Sequence, residues 1–429
     1  MALDATRRAA LQSPCLAPKT GTMLRRALTN TGWLMGARGV NAVLSLGYLA
    51  LATRALGLQG FGQFVLAISF SQAITGLVSF QTWQAVVRWG QRRETVQEAV
   101  GFAAALDLLT VAAGTLGAGL LLTFGGEWLP VPPELRWETF WLTFASLLAV
   151  RSTPTGILRL YDRYAQAAGA ESITSIVRVI GAVVVFFAIP SIAGFLVIWA
   201  LAELATAAAF WRLAWRHQPV QPRQISLRAL PRGEGDAWGF VWGTGLSGML
   251  LIASRQILVL LVGALGGAAM AGIYRVAAQL GEGLLKLAQA LLRATYPELV
   301  RDPGQAKELA ARIGRIALFT GLFAVLLAAF GGQWLIALIA GREYLAAYGP
   351  MIVLSAAAAI ELAGATLEAL LVSRGHALRN FMLRAIPTAL ALAALPFAVA
   401  RYGPFGAAAL VLAASLLTVT GLIKATRGT

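Results

Sequence analysis

LATRALGLQGFGQF, residues 51–64, sits between two apolar runs yet carries glycines at 57, 60 and 62 and one charge, Arg54. LVGALGGAAMAGIY, residues 261–274, repeats the phrase in the second half of the chain. Gly62 falls on Gly272 and Phe64 on Tyr274. A one-residue slip matches RALG to GALG and so sets Gly57 against Gly266. Each copy reads as a tight turn that opens the second helix of a repeated unit. Glycine permits such a turn and lets helices approach closely. Arg54 stands at the rim of the turn, as scaffold rather than ligand.

Working outward, the 429 residues are 58% hydrophobic and 13% charged, with mean hydropathy +0.71. A soluble domain carries roughly a quarter charged residues. The apolar residues come in blocks of about 20, enough to cross a bilayer as a helix. The expectation is an all-α polytopic membrane protein with about twelve spans, at 31–53, 61–83, 98–122, 137–160, 170–189, 192–214, 238–262, 270–295, 311–332, 347–372, 378–400 and 404–424. The chain then divides into a polar, basic leader (1–27), a six-helix lobe (28–215), a linker rich in Pro, Arg and Gly (216–237) and a second six-helix lobe (238–429). Six spans are an even number, so both lobes enter the membrane in the same sense. They should be related by a pseudo-two-fold axis along the membrane normal. The leader lacks the apolar core of a signal peptide, and no cleavage is expected.

The net charge of +16 is distributed unevenly. On this span reading, 24 basic residues fall on one side and four (Arg54, Arg136, Arg342, Arg401) on the other. The positive-inside rule puts both termini in the cytoplasm. That asymmetry accounts for most of the charge, and nucleic acid is not needed as a partner. The one cysteine, Cys15, cannot form an internal disulfide, and the histidines, His217 and His376, lie far apart. No metal site, Walker loop or serine–histidine pairing is present, and no cofactor is expected. The outer connections are short, which leaves little material for an enzyme site there.

Polar stripes run inside the spans. Arg275, Gln279, Glu282, Lys286, Gln289 and Arg293 recur at helical spacing on one face. The equivalent face in the first half is small and neutral, and the first span adds Arg38, Asn41, Ser45 and Tyr48. Two facing lobes would enclose a polar cavity, with charge concentrated on the C-terminal half. Seven cations lie in spans: Arg38, Arg151, Arg178, Arg255, Arg275, Lys286 and Arg293. Each costs roughly 2.5–3.5 kcal/mol at a bilayer centre, so they must face a wet interior, pair or snorkel. Arg178 and Arg293, near helix ends, suit snorkelling. The acids are fewer: Asp107, Glu203, Glu282, Glu361 and Glu368. Glu282 and Lys286 form an i, i+4 pair. Asp107, Glu203, Glu282, Glu361 and Glu368 read either as an ion relay or as counter-charges to the cations. The binding candidates are Arg38, Asn41, Arg151, Arg255, Arg275 and Lys286. A cationic surplus suits an anion, and guanidinium grips phosphate through paired hydrogen bonds.

TRALGLQGFGQF resembles the opening signature of bacterial polysaccharide flippases, the O-antigen and capsule translocases. TPTGILRLYDRYAQAAGAESITSIVRVIG, residues 153–181, is similar to that family's fourth-to-fifth span connection. AGIYRVAAQL, LIALIAGREYLAAYGPMIVLSAAAAIE and YGPFGAAALVL resemble its C-terminal half. The resemblance covers residues 25–424, nearly the whole chain. It implies two lobes in a V and transport of a polyprenyl-pyrophosphate-linked oligosaccharide from the inner to the outer leaflet of the bacterial inner membrane. A cationic cavity would hold the pyrophosphate and sugar while the lipid tail stays among membrane lipids. It also implies work beside a polysaccharide polymerase and other assembly proteins, with a monomer sufficient for transport. Family members often carry an acid in the seventh span, where this chain reads IASRQILVL, with Arg255 and Gln256. Ion coupling at that position is therefore not carried over. A multidrug exporter of the same superfamily, or a membrane-embedded glycan polymerase or ligase, are the alternative readings.

Overall fold

The computed structural model describes residues 20–92, 94–228, 230, 235–293, 306–373 and 377–427. Cys15 and His376 lie outside the described residues, as do the side chains of Arg38, Lys286, Gln289 and Arg293. The described chain is helical throughout, without a strand. The N-terminal half holds α1 (Thr20–Val78), α2 (Thr82–Trp89), α3 (Val96–Phe124), α4 (Arg136–Leu148), α5 (Ser152–Leu160), α6 (Tyr164–Ala188) and α7 (Ile192–Trp215). The C-terminal half holds α8 (Ala237–Arg293), α9 (Ala306–Ile339), α10 (Tyr348–Ser373) and α11 (Ala377–Arg427).

Among the described residues, eight helical runs are long and apolar enough to cross a membrane, and three of them are 51, 47 and 49 residues long. Those three exceed twice the ~20 residues a bilayer core requires. Each is broken by a left-handed glycine: Gly57 in α1, Gly267 in α8 and Gly403 in α11. The breaks fold the chain back on itself. In a straight helix Tyr48 and Phe64 would stand about 24 Å apart; their ring centroids are 6.4 Å apart. Likewise a Cβ on Gly263 would lie 3.3 Å from the Ala271 Cβ, across the α8 turn.

The two phrases that frame the repeat adopt one backbone conformation. Gly57 has φ 65°, ψ −177° and Gly267 has φ 82°, ψ 172°. This region is essentially closed to residues with a Cβ. The repeat register is therefore a constant one, and the expected match of Gly57 to Gly266 is corrected to Gly267. The ALG shared by RALG and GALG suggested a slip that the backbone does not contain.

Two expected spans, 61–83 and 137–160, are discontinuous. Helix α1 ends at Val78 and α2 starts at Thr82; α4 ends at Leu148 and α5 starts at Ser152. Pro154 explains the second break, since it has no N–H to donate to the Val150 carbonyl. That carbonyl accepts from Trp211 Nε1 instead, at 2.9 Å. The freed groups of the first break are also satisfied. Thr110 Oγ1 donates to the Val78 carbonyl at 2.9 Å, and the Trp83 N–H donates to Ser152 Oγ at 3.1 Å.

The halves meet most closely beside the Gly57 and Gly267 turns. A Cβ on Gly62 would fall 1.9 Å from the Ala268 carbonyl oxygen, and one on Gly272 would lie 3.2 Å from the Gly62 Cα. Phe61, Phe64 and Leu66 share one core there with Val262, Ala271, Tyr274 and Tyr344. Polar contacts also cross between the halves beside these turns. Arg54 Nη2 donates to the Leu338 carbonyl at 2.6 Å, and Tyr344 OH donates to the Gly57 carbonyl at 3.0 Å. Near its other end the first segment of α8 leans on α2 and α3, through Trp89 on Phe240 and Phe102 on Trp238. The linker is not free of the bundle: Leu230 is fully buried against Phe102 and Leu106. Large apolar side chains such as Phe124, Phe187 and Phe330 cover the outside, as lipid contact requires.

Candidate functional site

The first constellation stands on the break before α5. Arg151 occupies the position just ahead of that helix, in non-helical backbone. Its Nη2 donates to Glu203 Oε2 at 2.6 Å, and Arg178 Nη2 donates to Glu203 Oε1 at 2.6 Å. One carboxylate from α7 thus bridges two guanidiniums, one from the α4–α5 break and one from α6. Trp199 lies one turn before Glu203 on α7, and the Arg178 guanidinium carbon sits 3.4 Å from its ring centroid. The ring is itself packed edge-on against Tyr48 and Phe64. Arg178 is therefore held on its face by an aromatic cluster and on one edge by Glu203. Its Nε is buried without a partner among the described residues.

Arg275 approaches from the other half, on α8. Arg178 feels the charges of both Arg151 and Arg275, and Arg275 in turn feels Glu282. No hydrogen bond or ion pair to the Arg275 guanidinium occurs among the described residues. The third group is Arg255, whose Nη1 lies 3.4 Å from Glu282 Oε1 and whose Nη2 lies 3.2 Å from Glu361 Oε2. Glu361 also accepts from Ser415 Oγ at 3.0 Å. A band of charge thus runs from Arg151 through Glu203, Arg178, Arg275, Glu282 and Arg255 to Glu361, crossing from one half to the other.

The remaining expected residues have other employments. Asp107 is buried, and its Oδ1 accepts from Thr82 Oγ1 at 2.9 Å while Oδ2 accepts from the Thr153 N–H at 3.2 Å. It thereby ties together the starts of α2 and α5, where helix N-termini favour an anion. Glu368 pairs with Arg384 Nε at 3.4 Å and accepts from Asn380 at 3.4 Å, apart from the Arg255 group. Glu361 and Glu368 share a helix face but not a partner. Asn41 donates to Ser172 Oγ at 3.3 Å, linking α1 to α6. Gly57 and Gly62 serve the turn and the contact between halves, as does Gly272; Gly266 packs on Met270.

Both halves contribute cations and acids. Among the described residues, the N-terminal half contributes Arg151 and Arg178 against Glu203. The C-terminal half sets Arg255 and Arg275 against Glu282 and Glu361. The expected concentration of charge on the C-terminal half rests in part on Lys286 and Arg293, whose side chains lie outside the described residues. Arg178 does not snorkel, because it is locked between Trp199 and Glu203. Sequence reasoning weighed Glu203 as an ion-relay candidate but left Arg178 and Trp199 out of the site. The available signal was Glu203 itself, an acid in a strongly apolar helix that must find a cation.

Residues 27–301 match the family described as "Polysaccharide biosynthesis protein". The Escherichia coli (strain K12) inner membrane protein YghQ is 29% identical over 340 residues, covering 76% of this chain and 95% of that protein. Among solved structures, the lipid II flippase MurJ in an inward closed conformation superposes with TM-score 0.70 at 13% identity, covering 92% of this chain and 87% of MurJ. The multidrug transporter DinF-BH, of the MATE class, superposes with TM-score 0.60 at 15% identity, covering 97% of this chain and 98% of the other. At these identities the structural likeness speaks for the fold.

Proposed function

The chain belongs to the polysaccharide biosynthesis protein family, and from that premise we propose that it is a flippase for a polyprenyl-pyrophosphate-linked oligosaccharide. It moves the glycan from the inner to the outer leaflet of the bacterial inner membrane by alternating access. The observation that carries this reading is the Arg151–Glu203–Arg178 cluster of one half, with Arg275 of the other half close enough for its charge to act on Arg178. Guanidinium matches the paired oxygens of a phosphoryl group, and in a dry setting that match is strong. A diphosphate seated between Arg178 and Arg275 relieves the repulsion between them and draws the halves together. The lipid tail stays in the bilayer, and the sugar occupies the wet interior.

In this reading the two halves are six-helix lobes related by an axis along the membrane normal, with both termini cytoplasmic. The Gly57 and Gly267 turns then face outward, so the contact at Gly62 and Gly272 closes the outer side. Transport requires that contact to part while the inner side closes. The test is a proteoliposome assay with a fluorescent lipid-linked glycan. Protein-containing liposomes should expose the glycan to the opposite leaflet faster than empty ones, and equal rates would refute the proposal.

A multidrug exporter is the second reading, favoured by the DinF-BH likeness and by the two carboxylates around Arg255. It predicts drug sensitivity with intact surface glycan in a deletion strain. The flippase reading predicts loss of a surface glycan and accumulation of its lipid-linked precursor.

A further inference from the structure

We propose that Glu203 is the resident counter-anion of the phosphoryl site, which a substrate phosphoryl group displaces and which recovers its place on release. The proposal rests on the flippase reading above and assigns the residue that sets how long the anion is held.

The geometry supports an exchange. A carboxylate that bridges two guanidiniums through separate oxygens, at 2.6 Å each, makes the contacts a phosphoryl group would make. The side chains of Arg151, Arg178 and Glu203 are 32%, 19% and 13% exposed, so the trio is partly desolvated. Two cations left there without an anion would be costly, which gives Glu203 a reason to be present before substrate arrives. Asp107 cannot take this role, because both its oxygens are engaged by Thr82 and Thr153.

Arg178 can change partners without moving. Trp199 holds its guanidinium by the face, 3.4 Å from the ring centroid, whether or not Glu203 occupies the edge. The unpartnered Nε is a further donor for an arriving oxygen. Arg151 is fixed through its backbone, since the Thr155 N–H donates to the Arg151 carbonyl at 3.0 Å in the first turn of α5. The site thus has one cation held by an aromatic face, one anchored through its backbone, and a carboxylate carried on a different helix from both. Phosphoryl entry swaps one charge-assisted pair for another, and Glu203 competes again when the substrate leaves. A site of arginines alone would bind the diphosphate more tightly and release it more slowly.

The experiment uses the full chain in lipid nanodiscs, with inorganic pyrophosphate as the calorimetric probe, alongside the proteoliposome assay. Glu203→Gln keeps the shape and removes the competing charge. It should bind pyrophosphate about tenfold more tightly than the wild type, the value of one charged hydrogen bond. Transport should slow at the same time. A residue that merely props up the fold would weaken binding and transport together. Glu203→Asp keeps the charge but is too short to span both arginines, and it should tighten binding by a smaller factor. Unchanged or weaker pyrophosphate binding by these variants, with a wild type that binds and transports, overturns the role of Glu203 alone. If Glu203→Gln does not fold, Glu203→Asp decides by the same criterion. A wild type that neither binds pyrophosphate nor moves the glycan overturns the flippase reading, and this proposal with it. Transport without pyrophosphate binding overturns the proposal and leaves the flippase reading standing.

Discussion

Asp107 illustrates how a carboxylate survives inside an apolar bundle. It accepts one hydroxyl and one backbone N–H and faces the starts of two helices. Asparagine keeps the size but loses the charge and turns one acceptor into a donor. Asp107→Asn should therefore destabilise the protein by about 1.5–3 kcal/mol, read as a lower melting temperature in detergent. An unchanged melting temperature would show that the two breaks hold without it. Arg178 is a residue of a different kind, since its partners are an aromatic face and a shared carboxylate. Arg178→Ala should reduce transport at least about tenfold at equal expression, the loss of one charged contact. Arg163→Ala, at an exposed position between α5 and α6, should transport normally. Equal rates for the two variants would remove Arg178 from the site.

At the scale of elements, the left-handed glycines decide where long apolar runs turn. Gly267 has φ 82°, whereas Gly266 keeps helical backbone against the flexible Met270 side chain. Gly267→Ala should cost about 1–3 kcal/mol, and Gly57→Ala should cost a similar amount. Gly266→Ala should cost less, because a methionine side chain can shift. A larger loss for Gly266→Ala than for Gly267→Ala in thermal melts would restore the slipped register. The breaks at 79–81 and 149–151 were not legible in the hydropathy, because both lie inside continuous apolar runs. Pro154 was the local signal for the second. For the first there was none, since its groups are satisfied by Thr110 and Ser152, which are remote in sequence.

At the scale of the molecule, the two halves are joined at one end by a glycine crossing and by polar contacts. Arg54 caps the last turn of α9, where carbonyls lack helical partners and favour a cation. The sequence placed Arg54 at the rim as scaffold; the structure makes it a tie between the halves. If alternating access opens that end, Arg54→Ala should favour the open state. A cysteine replacing Gln63, beside the crossing, should then react faster with a membrane-impermeant thiol reagent added from outside, in a background lacking Cys15. Equal labelling with and without Arg54 would show that the tie does not hold the closure.

The sequence by itself determined the membrane environment, the helical class and the twin glycine turns. These follow from local properties: apolar blocks of bilayer length, and a residue without a Cβ where the backbone turns left-handed. It also showed that the spans carry more cations than acids. It did not determine which charges meet. Arg151 and Glu203 are 52 residues apart, and Arg255 and Glu361 are 106 apart. Such pairs depend on how helices are rotated and packed, which helical periodicity within a single span does not encode. Only the tertiary structure set Arg178 on Trp199 and made Glu203 the carboxylate between two arginines.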